Sequence, residues 1–266
     1  MNNFIGCIAG DIIGSYYEHH NAATYDDIVF FVKGSRFTDD SVLACACAEW
    51  LLDTEGGTVE NQKDVLIDAY QKYANAHPNA GYGGSFRKWF LANSREPIGS
   101  YGNGAGMRVA ACGYYAKTLE EALELAKKSA EVTHNHVEGI KGAQAITEAI
   151  FLARTGKIKE TIKKQITDNF GYDLDRKIDD IRDTHPFDAT CQVTCPEAII
   201  AFLEGDSFED VIRKAIWVGG DSDTIACMAG GIAAAYYGVP SWIQDYVLRL
   251  LPEDLKDVVK RFDTEI

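Results

Sequence analysis

Two short acidic segments, far apart in the chain, do most to limit how it can fold. One reads Phe37-Thr38-Asp39-Asp40-Ser41-Val42 and the other Gly219-Gly220-Asp221-Ser222-Asp223-Thr224. Each sets two carboxylates and neighbouring hydroxyls directly ahead of a long apolar, Ala-rich run. Such a set offers only oxygen ligands and suits a hard divalent cation. Most of the chain lies between the two segments, so only a folded core can join them. Carboxylates gathered in one place repel strongly unless a cation joins them. The plainer alternative is a pair of helix N-caps, where Thr or Asp followed by acids is common. Asp39, Asp40, Asp221 and Asp223 exceed what capping needs, and Gly219-Gly220 lets the backbone come close to a partner.

The rest of the chain reads as helix nearly throughout. Pro occurs only six times, and alternating strand patterns are scarce. A small-residue helix is expected over 3–17, an Ala-rich one from Ser41 to Leu52 and an amphipathic one from Val59 to Ala76. Segments at 104–116, 119–132, Val137 to Arg154, 158–169, 195–204, 207–218, 222–237, 241–250 and 253–263 follow. Thr118-Leu119-Glu120-Glu121 and Ser207-Phe208-Glu209-Asp210 carry the hydroxyl caps and first-turn acids of helix starts. The polar stretch Asp173–Asp188 reads as a surface excursion. With no linker, low-complexity segment or repeat, the expectation is one compact all-α domain over 1–266.

A net charge of −14 argues against a nucleic-acid backbone as partner, since no basic stripe is present. A phosphorylated ligand would have to be held by metal ions or backbone amides. Seven cysteines, with no Cys-x-x-Cys or zinc spacing, read as reduced core thiols of a cytoplasmic protein. The Met1-Asn2-Asn3-Phe4 start lacks the basic region of a signal peptide, and no apolar run reaches membrane-spanning length.

Three further groups carry chemistry. Gly99-Ser100-Tyr101-Gly102-Asn103-Gly104 opens a helical stretch at about Ala105 and exposes backbone amides suited to a diphosphate. A plain turn is its alternative reading. Gly81-Tyr82-Gly83-Gly84 is a second, weaker turn of the same type. Gly10-Asp11-Ile12-Ile13-Gly14-Ser15-Tyr16-Tyr17-Glu18 packs tightly through small residues and ends on an acid that the helix dipole disfavours. His134, in Thr133-His134-Asn135-His136, stands between helices without other metal-binding partners, which favours a capping or ligand-contacting role.

In this order the elements resemble the ADP-ribosylglycohydrolase family. The Gly-Asp-x-x-Gly-x-x-x-Glu opening is matched by Gly10, Asp11, Gly14 and Glu18. Thr-Asp-Asp-Thr is matched by Thr38, Asp39 and Asp40, with Ser41 in the last place. Gly-Gly-Asp-Thr-Asp-Thr is matched by Gly219, Gly220, Asp221, Asp223 and Thr224, with Ser222 replacing Thr. Gly102, Asn103, Gly104 and Ala105 match the Gly-Asn-Gly-Ala turn, Met107 and Arg108 its following Met-Arg, and Thr133-His134 the Thr-His element.

The resemblance implies an orthogonal multi-helix fold around two Mg²⁺ or Mn²⁺ ions held by Thr38, Asp39, Asp40, Asp221, Asp223 and Thr224. It implies Glu18 as the catalytic carboxylate that contacts the reacting ribose, as general base or hydrogen-bond acceptor. It also implies that Gly83, Gly84, Gly99, Ser100, Tyr101, Gly102, Asn103, Gly104 and His134 contact the ADP side. The implied activity is release of ADP-ribose from a modified protein or a small conjugate by a monomeric enzyme. Tyr17 before Glu18 and Ser100-Tyr101 resemble the branch that cleaves serine-linked and polymeric ADP-ribose. Hydrolysis of acyl-ADP-ribose metabolites is the same-chemistry alternative. A silent ADP-ribose-binding module is the alternative of a different class, and the intact acidic set speaks against it.

Overall fold

The structure is a computed structural model that describes residues 3–56, 61–182 and 187–266. Its helices run α1 (Ile5–Gly14), α2 (Asp39–Asp53), α3 (Gln62–Ala76), α4 (Gly84–Leu91), α5 (Ala110–Tyr115), α6 (Leu119–Glu131) and α7 (Val137–Arg154). They continue as α8 (Lys159–Phe170), α9 (Ile178–Arg182), α10 (Cys191–Glu204), α11 (Phe208–Val218), α12 (Ser222–Tyr237), α13 (Ser241–Leu250) and α14 (Glu253–Glu265). No strand occurs among the described residues. The nearest thing is a single antiparallel bridge between Gly102 and Thr190.

The architecture turns on how α1 meets α12. Gly6, Gly10 and Gly14 recur at a four-residue spacing and so share one helix face. A methyl group at Gly10 would lie 1.9 Å from the Ala226 carbonyl oxygen, and one at Gly14 2.6 Å from that of Ser222. From the other side, a methyl at Gly230 would meet the Gly6 carbonyl at 2.5 Å. The two backbones therefore touch, and both helices are buried along almost their whole length. α2 and α7 pack against this pair and α5 and α6 fill the space behind them, within one continuous apolar core. All seven thiols are buried and free of disulfides.

The helices at 119–132, 137–154, 207–218, 222–237 and 241–250 lie where the sequence places them, and Thr118 and Ser207 cap as expected. Four differences have local causes. The first helix ends at Gly14, and Glu18 sits in the following turn, where Tyr17 N–H reaches only back to Gly14. The stretch 104–116 divides into a tight turn at Asn103–Ala105 and the short α5, because Asn103 carbonyl is taken by the amides of Gly106 and Met107. Gly83-Gly84 opens a helix, α4, held by the aromatic face of Phe86, Trp89 and Phe90. The polar stretch after Asp173 contains α9, which buries Ile178 and Ile181. Val59 and Glu60, the expected start of α3, lie outside the described residues.

Gly10→Ala places a methyl against backbone that has no side chain to move aside. It should destabilise the protein by about 3 kcal/mol, the upper range for overpacking. Urea unfolding checks this, and an unchanged midpoint would mean that α1 and α12 are not in backbone contact.

Candidate active site

Asp11 is the organising side chain. It is fully buried in a helix that is otherwise apolar. Its Oδ2 accepts from the backbone amides of Thr38 (2.9 Å) and Ser41 (3.1 Å) and from the Ser41 hydroxyl, while Oδ1 accepts from Thr38 Oγ1 at 2.6 Å. One carboxylate thus fixes the N-terminus of α2 against α1. Burial still pushes its pKa up, against the lowering effect of those four bonds.

The first acidic segment splits its work. Thr38 caps α2 by accepting the Asp40 amide at 3.3 Å. Asp40 is left for other duty: its Oδ2 accepts from Thr224 Oγ1 (3.3 Å) and lies 3.2 Å from Thr38 Oγ1, whose one proton goes to Asp11, and its buried Oδ1 has no partner among the described residues. Asp39 anchors its backbone on Ala80 carbonyl and points its side chain toward Gly81. In the second segment, Gly219 and Gly220 take φ of +86° and +65°, a left-handed pair that only glycine adopts freely, and turn the chain between α11 and α12. Asp221 occupies the N-cap position without making a cap bond. Its Oδ2 instead accepts from Asn103 Nδ2 at 2.7 Å, across the cleft. The capping alternative therefore accounts for Thr38 and not for Asp40 or Asp221. The two Ser-for-Thr replacements are structural, Ser41 holding Asp11 and Ser222 bonding the Gly14 carbonyl at 3.1 Å.

The acids converge. Oxygens of Asp11, Asp40 and Asp223 lie within 4.8 Å of one another, as do those of Glu18, Asp221 and Asp223. Burial, then their mutual repulsion, raises the Asp40 and Asp223 pKa values well above normal and that of Asp39 to about 8. A dense buried anionic cluster with an unpartnered oxygen on Asp40 and hydroxyls of Thr38 and Thr224 beside it fits a hard divalent cation. Glu18 is half-buried at the edge of this cluster. Its turn is pinned by Ser15 Oγ, which donates to Ile12 carbonyl and accepts from Arg36 N–H, and by the Tyr17 hydroxyl on Val29. Burial first, then Asp221, raises the Glu18 pKa, while His19 lowers it.

A cleft of about 430 Å³ joins these acids to the glycine turns. Gly83, Gly84, Ser100, Gly102, Asn103, Gly104 and His134 line it together with Glu18, Thr38, Asp39, Asp40, Asp221, Asp223 and Thr224. Gly99 and Tyr101 are not among its lining residues; Gly99 N–H donates to Asn135, and the exposed Tyr101 ring lies beside His136. The turn also offers fewer free amides than its composition suggests, because Gly102 N–H is spent on Ser100 Oγ and Asn103 N–H on Ala189 carbonyl. Gly83 makes no side-chain cap on α4, so the first amides of that helix are open beside the cleft.

Sequence reasoning missed Asp11 as a member of the acidic cluster, although an acid inside Ile-Gly-Cys-Ile-Ala-Gly-Asp-Ile-Ile-Gly is itself a signal. It also missed Arg36 and Phe187, loop residues that line the cleft without any local pattern to mark them.

The chain belongs to the ADP-ribosylglycohydrolase family, whose sequence profile matches residues 3–266. It is 28% identical to human ADP-ribosylhydrolase ARH3, with 92% of this chain and 89% of that protein covered. It is 24% identical to ADP-ribosylarginine hydrolase Tri1 of Pseudomonas putida, over 90% of this chain and 72% of that one. A solved structure described as an ADP-ribosylglycohydrolase-related protein complex shares the fold, with a TM-score of 0.71 at 22% identity over 98% of this chain and 95% of its own.

If the cluster is built for a cation, its carboxylates oppose folding when none is bound. Asp223→Asn should leave the chelated protein at least as stable as chelated wild type. Saturating Mn²⁺ should raise the wild-type melting temperature by on the order of 5 °C and the variant's hardly at all. Equal Mn²⁺ shifts in the two proteins, read by calorimetry, would exclude Asp223 as a ligand.

Proposed function

We propose that the protein is a metal-dependent hydrolase that cleaves the bond between the terminal ribose of an ADP-ribosyl group and an oxygen of its acceptor, releasing ADP-ribose. The observation that carries this reading is the single cleft that joins Glu18 and the acidic cluster to the glycine turns and His134. We read residues 1–266 as one monomeric, cytoplasmic domain.

Thr38, Asp39, Asp40, Asp221, Asp223 and Thr224 would hold two Mg²⁺ or Mn²⁺ ions. When bound, such ions supply positive charge that orients a ribose diol and an attacking water. Glu18 accepts the proton of that water as it adds to the anomeric carbon through an oxocarbenium-like state, while the bond to the acceptor oxygen breaks and that oxygen leaves as a hydroxyl with a proton taken from solvent. The open amides of α4 at Gly83-Gly84 receive the diphosphate, which lies against the Gly102–Gly104 turn. The ring of Phe187, 62% exposed on the cleft wall, offers a stacking face for the base.

Arg36 supports an oxygen acceptor. It is the one Lys or Arg among the described residues lining the cleft, and it acts electrostatically on Glu18, at the reacting end. A guanidinium acceptor arriving there would meet like charge, whereas a serine or polymer acceptor would not. The name of the Pseudomonas relative makes the arginine linkage the competing substrate.

A panel of serine-linked, arginine-linked, acyl-linked and polymeric ADP-ribose tests the reading. We expect a higher kcat/KM for the O-linked substrates. Arg36→Ala should narrow the gap by improving the arginine-linked case. Glu18→Gln should lower kcat at least ~100-fold while ADP-ribose affinity stays within a few-fold. A clear preference for the arginine linkage would overturn the acceptor assignment, and wild-type turnover by Glu18→Gln would make Glu18 structural.

A further inference from the structure

Arg108 is the largest buried cation of the core and has no carboxylate partner among the described residues. Its guanidinium is fully buried, lies 4.4 Å from the centre of the Tyr70 ring, and leaves Nε and Nη1 without hydrogen bonds. Only Nη2 is engaged: it donates to the Ser129 carbonyl and to Thr133 Oγ1, both at 2.8 Å. Thr133 is also fully buried, and its hydroxyl lies 2.8 Å from His134 Nδ1.

This chain has a direction. Thr133 Oγ1 already accepts from Arg108. Its own proton has one acceptor in reach among the described residues, His134 Nδ1. A proton on Nδ1 would leave the Thr133 hydroxyl hydrogen buried without a partner, a cost of about 1–3 kcal/mol. The other ring nitrogen, Nε2, looks into the cleft. It would lie 3.0 Å from a methyl group placed on Gly104 and 3.7 Å from one on Gly102. The ring is held at that depth by its own amide, which donates to the Ala130 carbonyl at 2.7 Å.

We propose that Arg108 and Thr133 are positioning residues that fix His134 as the Nε2–H tautomer, presenting one oriented donor to the phosphate oxygens of a ligand lying against the Gly102–Gly104 turn. The ligand half of this statement rests on the ADP-ribose reading above. Burial and the nearby Arg108 charge both keep the imidazole neutral, so the donor carries no charge that would hold product tightly. The bare glycines then acquire a reason beyond turn geometry: a side chain at Gly104 would occupy the space into which Nε2–H points.

Long-range ¹H–¹⁵N spectra of ¹⁵N-histidine-labelled protein at neutral pH test the proposal, with His134→Gln used to assign the signals. Wild type should show the Nε2–H pattern for His134. Thr133→Val, nearly the same shape, should lose the single-tautomer pattern and weaken ADP-ribose binding about tenfold. Thr133→Ser should restore both. An Nδ1–H pattern in wild type, or an unchanged pattern and affinity in Thr133→Val, would overturn the proposal. If the spectra behave as stated while wild type fails to bind ADP-ribose, the positioning role is supported and the substrate reading alone fails.

Discussion

The close contact of α1 with α12 is the constraint on which the rest depends. Gly6, Gly10 and Gly14 bring two backbones together, and Asp11, next to Gly10, is carried with them to the level of Asp223. From there Asp11 binds the first turn of α2 through both amides and hydroxyls and so places Asp40. A contact made by residues with no side chain thus positions those with the most demanding ones. Larger side chains at those glycines would separate the helices and with them the two acidic segments.

The core carries an unusual electrostatic load for this purpose. Apolar packing around α1, α2 and α12 raises the pKa values of the acids it encloses, so the fold resists the charge state that a cation site requires. Hydroxyls on Thr38, Ser41 and Thr224 moderate this locally, and Asn103 reaches over to Asp221. The remaining oxygen of Asp40 has no such support. Function is written here as local disagreement with good packing, as expected where a site is built at the expense of its own stability.

Much of this was legible in the residues, and particular elements show why. Helix existence followed from apolar periodicity bounded by Thr118 and Ser207, local signals that tertiary packing left intact. The joining of the two acidic segments could be anticipated because Asp39, Asp40, Asp221 and Asp223 exceed what helix capping needs. The place of Asp11 could not be read from spacing, since its role comes from α2 arriving over its carboxylate. Nor could the amides of Gly102 and Asn103 be known to be occupied, because their partners Ser100 Oγ and Ala189 are set by local turn geometry and by a distant loop. Glycine content told where the backbone is bare, and only the structure told which amides remain free.

The proposed cation site lies where the two acidic segments meet, at the head of the cleft. Anomalous diffraction at the manganese edge from Mn²⁺-soaked crystals tests it most directly. Strong peaks are expected in the space enclosed by Asp40, Asp221 and Asp223, with the Thr38 and Thr224 hydroxyls in reach and Glu18 alongside. Crystals that hold these side chains in the same places, yet show no peak there at saturating Mn²⁺, would contradict it.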